Sequence, residues 1–147
     1  MKTSDQMRAL IEGFEGCELD PYQDSVGVWT IGYGHTGDDV FEGCDPISQG
    51  QADALLAADL EDFEGHVSAL CPQANQQQFD ALVSFAYNLG SGALQGSTLR
   101  RLHNEAQFEA AAEQFSRWNH AGGRVLKGLT RRRAAEAAVY GKGEYNA

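Results

Sequence analysis

The sequence predicts an α+β fold that is mostly helical, in which a small β-hairpin lobe and a helical lobe are joined by one long helix. Residues 15–36 are rich in glycine, aromatic residues and turn formers, whereas apolar residues recur at helical spacing through residues 48–71. The 147 residues have the length of a single domain, 1–147. We therefore expect a β-containing lobe at about 15–50, then the connecting helix, and a helical lobe at about 73–147 that also includes the N-terminal helix.

The N-terminal segment predicts a short helix that ends where the hairpin lobe begins. Thr3 and Gln6 have the spacing of a capping box, in which side chains and backbone N–H groups pair reciprocally. Glycines follow the helix, so we expect it to end near Glu15. Its buried face is formed by four apolar residues: Met7, Leu10, Ile11 and Phe14.

The next residues predict a hairpin. β-branched and aromatic side chains dominate residues 26–33, as is typical of strands. Asp24 favours the start of a turn, and Gly27 suits the hairpin turn itself. We expect a loop over residues 37–47.

A long helix is predicted after this loop. Ser48 and Gln51 form a second capping box, and Pro72 should stop the helix just after Cys71. At a rise of 1.5 Å per residue, such a helix is roughly 35 Å long. Its apolar face is formed by seven residues: Ala52, Leu55, Leu56, Leu60, Phe63, Val67 and Leu70. We interpret it as the connection between the two lobes.

The remainder predicts further helices. Asn75 and Gln78 cap one that ends at Gly90, and Ser97 caps a short one. Residues 107–118 should form another, burying four residues: Phe108, Ala111, Ala112 and Phe115. After a glycine-rich loop at 120–128, we expect Thr130 to cap the last helix, which should end near Gly141.

Charge is distributed unevenly along the chain, whose net charge is −10. Residues 1–72 hold two basic and fifteen acidic residues, whereas residues 73–147 hold nine basic and six acidic ones. An acidic chain argues against a nucleic-acid partner. The asymmetry fits two lobes that face each other across a cleft, or simply two solvated faces.

The sequence contains no apolar run long enough to span a membrane, and no signal peptide is visible at its start. We therefore expect no stable membrane insertion. We also expect a monomer. The three cysteines lack the spacing of a metal site and favour free thiols. Cys44 and Cys71 would lie at opposite ends of the long helix, too far apart for a disulfide, whereas a bond between Cys17 and Cys44 stays open.

Two carboxylates suggest chemistry: Asp24 lies nine positions after Glu15, and Thr30 six positions after Asp24. Hydrolysis of a glycosidic bond needs one protonated acid and one ionised carboxylate that stabilises charge or activates water. The end of a helix beside apolar Phe14 disfavours a charged carboxylate, which suits Glu15 as the acid. A polar turn suits Asp24 as the ionised partner. Spacing alone is weak evidence in a chain with 21 acidic residues.

The surrounding motifs are more specific. Glu-x8-Asp-x5-Thr followed by Ile-Gly-Tyr-Gly-His-Thr closely resembles the catalytic segment of the phage-type lysozymes, the endolysins of tailed bacteriophages. The resemblance continues in order through the segments at residues 78–82, 85–90, 96–99, 118–119 and 128–136. It therefore covers nearly the whole chain.

This resemblance implies a lysozyme-like fold and hydrolysis of the β-1,4 bond between N-acetylmuramic acid and N-acetylglucosamine in peptidoglycan, without metal or cofactor. Glu15 matches the general acid, Asp24 the second carboxylate, and Thr30 the threonine that helps to hold the attacking water. Such a protein is made in the cytoplasm of a host bacterium and lyses it by acting on the cell wall in the periplasm.

Three further residues are candidates for substrate binding. His35 matches a histidine that pairs with an aspartate on the connecting helix, here Asp59, and we favour that structural role over contact with substrate. Asn88 can offer its amide to N-acetyl groups or simply cap its helix. Arg131 matches an arginine that approaches the catalytic glutamate, where it could orient Glu15 or meet the acidic stem peptide of the substrate.

Two alternative functions differ in mechanism. A lytic transglycosylase cleaves the same bond without water, and the water-binding pair Asp24 and Thr30 argues against it. A non-catalytic peptidoglycan-binding module would have no need for the set of Glu15, Asp24 and Thr30. Product analysis and cell-wall clearing distinguish these possibilities.

Overall fold

The computed structural model describes residues 1–146 and shows the predicted mostly helical α+β architecture. Its seven helices are α1 (Asp5–Glu15), α2 (Gln49–Leu70), α3 (Gln76–Leu89), α4 (Ser91–Gln95), α5 (Thr98–Asn104), α6 (Phe108–Gln114) and α7 (Lys127–Lys142), with a 3-10 turn at Phe115–Arg117. The strands form two small hairpins, β1 (Glu18–Gln23) with β2 (Trp29–Gly32), and β3 (His120–Ala121) with β4 (Arg124–Val125).

The first hairpin forms the small lobe that follows α1. Its antiparallel strands pair Tyr22 with Thr30 and Gln23 with Trp29, and the register shifts before Tyr22, as at a β-bulge. The turn between them includes Gly27, whose positive φ of 87° is accessible to glycine at little cost. The turn projects away from the core, since Val26 at its tip is 81% exposed.

The long connecting helix α2 is confirmed. Ser48 and Gln51 form the predicted capping box, and Cys71 follows the last helical residue. One face is buried, formed by Ala52, Leu56, Leu60 and Val67. Burial of this face attaches the helix to both lobes, because α2 packs on β2 in the hairpin lobe and on α3 in the helical lobe.

Helix α3 is the centre of the helical lobe. Asn75 and Gln78 form its predicted capping box, and residues 78–86 are all buried. A helix that is buried on every side must be surrounded by other elements, and α3 packs against α1, α2, α4 and α7. The C-terminal end of α3 and the N-terminal half of α7 thereby come to lie beside the end of α1.

Two predicted helix caps are wrong. Ser4, rather than Thr3, caps α1 by accepting a hydrogen bond from the Met7 N–H, while the Thr3 hydroxyl donates to Glu64 at 2.7 Å. Helix α7 begins at Lys127, so Thr130 lies inside its first turn, where its hydroxyl donates to the Leu126 carbonyl. At α1 the candidates are held by distant residues, since Glu64 binds Thr3 and Asp80 binds Ser4, whereas no side chain within residues 1–146 caps α7.

The segment before α7 also differs from the prediction. The helix expected over residues 107–118 is divided into α6 and the 3-10 turn, and Phe108 at its start is 42% exposed instead of buried. Residues 120–128 contain the β3–β4 hairpin and the start of α7 instead of forming only a loop, and α4 was not predicted. Short elements of this kind have weak sequence signals.

Within residues 1–146, no helix is long and apolar enough to cross a membrane. Cys17, Cys44 and Cys71 are all free thiols in this structure. The excluded pairing of Cys44 with Cys71 is therefore not formed, and neither is the pairing of Cys17 with Cys44 that was left open.

Candidate active site

Glu15 is the last residue of α1, and Gly16 ends the helix with a positive φ of 66°. Its side chain is only 18% exposed, and its Oε2 accepts a hydrogen bond from Arg132 Nη1 at 2.6 Å. The other carboxylate oxygen, Oε1, lies against Gly34 of the hairpin lobe. A Cβ atom placed on this glycine would be only 2.7 Å from Glu15 Oε1. Glu15 is thus enclosed by a cation from α7 and by backbone from the hairpin lobe.

Asp24 starts the β1–β2 turn. Its Oδ1 accepts hydrogen bonds from the Val26 and Val28 N–H groups at 3.0 and 2.9 Å, and its own N–H donates to the Val28 carbonyl at 2.9 Å. These bonds explain the local fold, since an aspartate side chain often organises a turn in this way. They hold one oxygen of a carboxylate and leave Oδ2 for other partners.

Thr30 lies on β2 and is 4% exposed. Its hydroxyl donates to the Val28 carbonyl at 2.9 Å, so its oxygen can still accept a hydrogen bond from water. Across the hairpin, burial and the charges of Glu15, Glu18 and Asp24 raise the pKa of the Tyr22 phenol. Tyr22 pairs with Thr30 across the hairpin, so its ring belongs to the same strand pair as the threonine.

Helix α7 supplies a buried cluster of charges behind Glu15. Arg132 Nε lies 3.2 Å from Glu136 Oε2, and Arg133 Nε lies 2.8 Å from Glu136 Oε1 as an ion pair without good hydrogen-bond alignment. Ser84 on α3 donates its hydroxyl to Glu136 Oε2 at 2.5 Å. Burial raises the pKa of Glu136 and lowers that of Arg133, and their mutual attraction opposes both shifts.

The arginine that contacts Glu15 is Arg132, so the expectation that Arg131 orients Glu15 was wrong. The alternative, that Arg131 meets the stem peptide of the substrate, stays a prediction. Arg132 stacks over the Phe14 ring with its guanidinium carbon 4.9 Å from the ring centroid. Arg131 is exposed and lines the cavity beside Glu15. The rotation of α7 on the helical lobe decides which of two adjacent arginines points inward.

A cavity of about 520 Å³ opens beside Glu15. It lies between the end of α1, the end of α3 and the start of α7, and its wall includes Gly13, Phe14, Glu15, Asn88, Leu126, Gly128, Leu129, Arg131 and Arg132. The Oδ1 of Asn88 accepts a hydrogen bond from Arg133 Nη2 at 2.7 Å. The structure thus brings Asn88 and Arg131 to the same cavity as Glu15, while Asp24 and Thr30 belong to the hairpin.

His35 lies at the junction of the hairpin lobe and α2. Its Nδ1 is 2.7 Å from Asp59 Oδ2, which confirms the predicted pair, and its Nε2 is 2.9 Å from Asp39 Oδ2. Partial burial of the ring disfavours its charge, but the hydrogen bonds to Asp59 and Asp39 raise the pKa of His35. Both ring nitrogens are occupied by carboxylates, and contact with substrate stays a prediction.

Sequence reasoning missed Glu136, Ser84 and Tyr22. The spacing of Arg132 and Arg133 before Glu136, at i,i+4 and i,i+3, was a usable signal for an ion-pair cluster on one helix face. Among the residues described, no group of three or more histidine, cysteine, aspartate or glutamate side chains could hold a metal ion.

Comparison with known proteins gives the site a context. The family model described as phage lysozyme matches residues 12–136. An endolysin of Bacillus phage B103 is 44% identical over 138 residues, which is 92% of this chain and 52% of that protein. A SAR-endolysin of bacteriophage PS119 is 38% identical over 87% of this chain and 77% of its own length. The chain spans about half the length of the two Bacillus phage endolysins that it matches.

Solved structures give the same result. The endolysin from Escherichia coli O157:H7 phage FAHEc1 superimposes with a TM-score of 0.86 at 36% identity, covering 100% of this chain and 98% of the other. The muramidase domain of SpmX from Asticaccaulis excentricus superimposes with a TM-score of 0.85 at 37% identity, covering 95% and 97%. The predicted lysozyme-like fold is therefore confirmed.

Proposed function

We propose, since this chain belongs to the phage lysozyme family, that it is an endolysin. Its proposed reaction is hydrolysis of the β-1,4 bond between N-acetylmuramic acid and N-acetylglucosamine in bacterial peptidoglycan. The observation that carries the proposal is the placement of Glu15. Its largely buried carboxylate borders a cavity on one side, and on the other it lies against the lobe that bears Asp24 and Thr30.

Glu15 is the proposed general acid, which donates its proton to the oxygen of the departing sugar. Once the proton has left, the carboxylate carries a charge that needs stabilisation. Arg132, at 2.6 Å and 6% exposed, is already in place to provide it. A preorganised cation of this kind stabilises the charge that develops in the transition state more than it stabilises the ground state.

Asp24 and Thr30 are the proposed holders of the attacking water. Turn N–H groups hold Oδ1 of Asp24, so Oδ2 can accept a proton from water, and the Thr30 oxygen can accept a second hydrogen bond. Attack by this water on the face opposite Glu15 would invert the configuration at the anomeric carbon. The proposed reaction uses only side chains and water, without metal or cofactor.

Substrate binding is assigned to the side of the cavity formed by the end of α3 and the start of α7, which we call the helical wall. We propose that the amide of Asn88 binds an N-acetyl group and that exposed Arg131 binds a carboxylate of the stem peptide, since both line the cavity beside Glu15. His35 was the third candidate, and its pairs with Asp59 and Asp39 favour a role in holding the hairpin lobe to α2. We propose further that the protein acts as a monomer on the wall of its host, from the periplasm.

Clearing of a cell-wall suspension by the purified protein tests the proposal. We expect wild type to clear the suspension and to produce reducing muramic acid ends, while Glu15→Gln and Asp24→Asn lose activity about 100-fold or more. Asp24→Asn keeps the Oδ1 acceptor of the turn, so the hairpin should still form. Equal clearing by wild type and Glu15→Gln would refute the assignment of the acid.

The same assay separates the alternatives. Anhydro-muramic ends would indicate a lytic transglycosylase, in which case Asp24→Asn should stay active. Binding to the cell wall without any clearing would indicate a non-catalytic module.

A further inference from the structure

Glu136 is a fully buried carboxylate for which the proposed reaction has no use. It is 0% exposed, and within residues 1–146 its hydrogen bonds and ion pairs are all with Arg132, Arg133 and Ser84. A buried charge is costly unless it is paired, so this carboxylate and the two arginines depend on each other for their positions. What each arginine does with its remaining donors is therefore informative.

The first arginine leads from Glu136 to Glu15. Arg132 places Nε on Glu136 at 3.2 Å, Nη2 on the Ser84 carbonyl at 3.2 Å and Nη1 on Glu15 at 2.6 Å. The guanidinium group is planar and its donors have fixed directions. Because Glu136 holds Nε and Ser84 holds Nη2, the direction of Nη1 is also fixed. The Glu15 carboxylate that accepts from Nη1 is thereby held in position.

The second arginine leads from Glu136 to Asn88. Arg133 places Nε and Nη2 within 2.8 and 3.2 Å of Glu136, and the same Nη2 donates to Asn88 Oδ1 at 2.7 Å. Its guanidinium also stacks over Phe85, with its carbon 5.4 Å from the ring centroid. Because Arg133 occupies the amide oxygen of Asn88, the NH2 group is the part of the side chain left to bind a ligand in the cavity. Asn88 is thereby set as a donor for a carbonyl oxygen.

We propose that Glu136 is a positioning residue that orients the acid and the substrate-binding amide together. The Glu136 carboxylate holds Arg132 on Glu15 and Arg133 on Asn88, although Glu15 lies on α1 and Asn88 on α3. The inference rests on the proposed function, because it assigns Glu15 to the chemical step and Asn88 to binding of a carbonyl, such as that of an N-acetyl group. Glu136 itself touches neither substrate nor reacting atoms.

Glu136→Gln tests the proposal, because glutamine keeps the shape of the side chain but removes its charge. Measured on soluble peptidoglycan fragments, well below the melting temperature of the variant, kcat should fall about tenfold or more as Glu15 loses its orientation. KM should rise about fivefold as the Asn88 hydrogen bond to substrate weakens.

Asp80→Asn is the matched control. Asp80 is also 0% exposed and accepts hydrogen bonds from Ser4, Gln76 and Tyr145, but none of these residues lines the cavity. It should lower the melting temperature and leave kcat and KM within about twofold of wild type. If Glu136→Gln and Asp80→Asn both lose stability and both keep kcat and KM, Glu136 is structural and the proposal is overturned.

Two milder variants separate the two arginines and serve as well where Glu136→Gln does not fold. Ser84→Ala removes a hydroxyl that contacts Glu136 and Arg132, so it should lower kcat with little change in KM. Arg133→Lys keeps the charge but cannot reach Glu136 and Asn88 in the same way, so it should mainly raise KM. Equal effects of both variants on the same constant would overturn the assignment.

A readout without turnover keeps this inference distinct from the proposed function. Nitrogen-15 NMR should show the Nε–H groups of Arg132 and Arg133 exchanging slowly with water in wild type and much faster in Glu136→Gln. Unchanged exchange would overturn the positioning role even in an active enzyme. Absence of hydrolysis by wild type, with the exchange difference present, would refute only the proposed function.

Discussion

The β1–β2 hairpin and the helical wall both border Glu15, but they hold their functional groups in opposite ways. On the hairpin, Asp24 is fixed by N–H groups two and four residues ahead, within one turn. On the helical wall, Arg132 is held by Glu136 on its own helix and by Ser84, 48 positions away, and it reaches Glu15, 117 positions away. The hairpin therefore carries its geometry in a short stretch of sequence, whereas the helical wall acquires its geometry only in the folded chain.

The walls also differ in burial. Val26 at the hairpin tip is 81% exposed, whereas Arg133 and Glu136 are 0% exposed. Charges near solvent are screened and contribute little to stability, but a buried charge that loses its partner is strongly destabilising. We therefore expect substitutions of charged side chains on the hairpin to affect activity more than stability, and those in the helical cluster to affect both.

Separate replacement of the adjacent residues Arg131 and Arg132 should give the largest difference in stability and activity. Arg132→Met removes a buried partner of Glu136 and Glu15, so the free energy of unfolding should fall by about 3 kcal/mol, together with activity. Arg131→Met changes an exposed side chain and should alter stability by less than about 0.5 kcal/mol, while raising KM. Urea denaturation and steady-state kinetics measure both. Similar losses for the two variants would contradict the inward rotation of Arg132.

Two glycines of the hairpin lobe offer a sharper comparison. Gly34 and Gly27 have positive φ angles of 80° and 87°, so alanine should cost about 1–2 kcal/mol of stability at either position. A Cβ at Gly34 would displace Glu15 Oε1, which lies 2.7 Å from it, whereas a Cβ at Gly27 meets nothing within 4 Å. Activity should therefore fall about 10- to 100-fold for Gly34→Ala alone.

The outcome separates backbone strain from displacement of the acid. Melting temperatures report the shared strain, and rates of cell-wall hydrolysis report the displacement. If Gly27→Ala lost as much activity as Gly34→Ala, the hairpin would act on catalysis through its stability and not through contact with Glu15.

This contrast explains which features the sequence could predict. The capping boxes at Ser48 and Asn75 were predicted correctly because each depends on residues three positions apart. At the N-terminus, the spacing of Thr3 and Gln6 predicted Thr3 as the cap, whereas Ser4 is the cap in the structure. The choice between them is made by Glu64 and Asp80, which bind Thr3 and Ser4 from distant helices.

The same reasoning applies to the site. Glu15, Asp24 and Thr30 lie in one contiguous stretch, so a motif could indicate them together. Adjacent helical residues point about 100° apart, so the assignment of Arg131 or Arg132 to Glu15 depends on how α7 is rotated against α3. That rotation follows from packing of the whole helical lobe; the spacing of Arg132 and Glu136 at i,i+4 indicates locally that these two share a face, but not that the face turns toward Glu15.

The contact of His35 with Asp59 and Asp39 should give a pH-dependent effect on stability. Because the pKa of His35 is raised in the folded state, protonated His35 stabilises the fold. This contribution is fully present below the ordinary histidine pKa of 6.5 and is lost as pH rises through the folded pKa. His35→Asn should therefore lower the free energy of unfolding by about 1–2 kcal/mol near pH 5.5 and by less near pH 8.

The low-pH limit of this effect depends on the carboxylates. The hydrogen bond from His35 lowers the pKa of Asp39, whereas burial raises the pKa of Asp59, so on acidification the pair with Asp59 is lost first and the pair with Asp39 persists below the ordinary aspartate pKa of 3.8. Asp39→Asn is the control. Because Asp39 is 62% exposed, its substitution should lower the free energy of unfolding less than His35→Asn does. A difference between wild type and His35→Asn that grows with pH would contradict the assigned direction.

The smallest effects are expected at the three cysteines, which also differ between the lobes. Cys17 and Cys44 are half-buried near the hairpin, whereas Cys71 is 1% exposed and its burial raises its pKa to about 11. A thiol reagent should therefore modify Cys17 and Cys44 promptly in the native protein, and Cys71 only after denaturation. Serine at Cys17 or Cys44 should change stability by less than about 0.5 kcal/mol. If denatured, unreduced protein titrated only one thiol, Cys17 and Cys44 would be joined by a disulfide instead of being free.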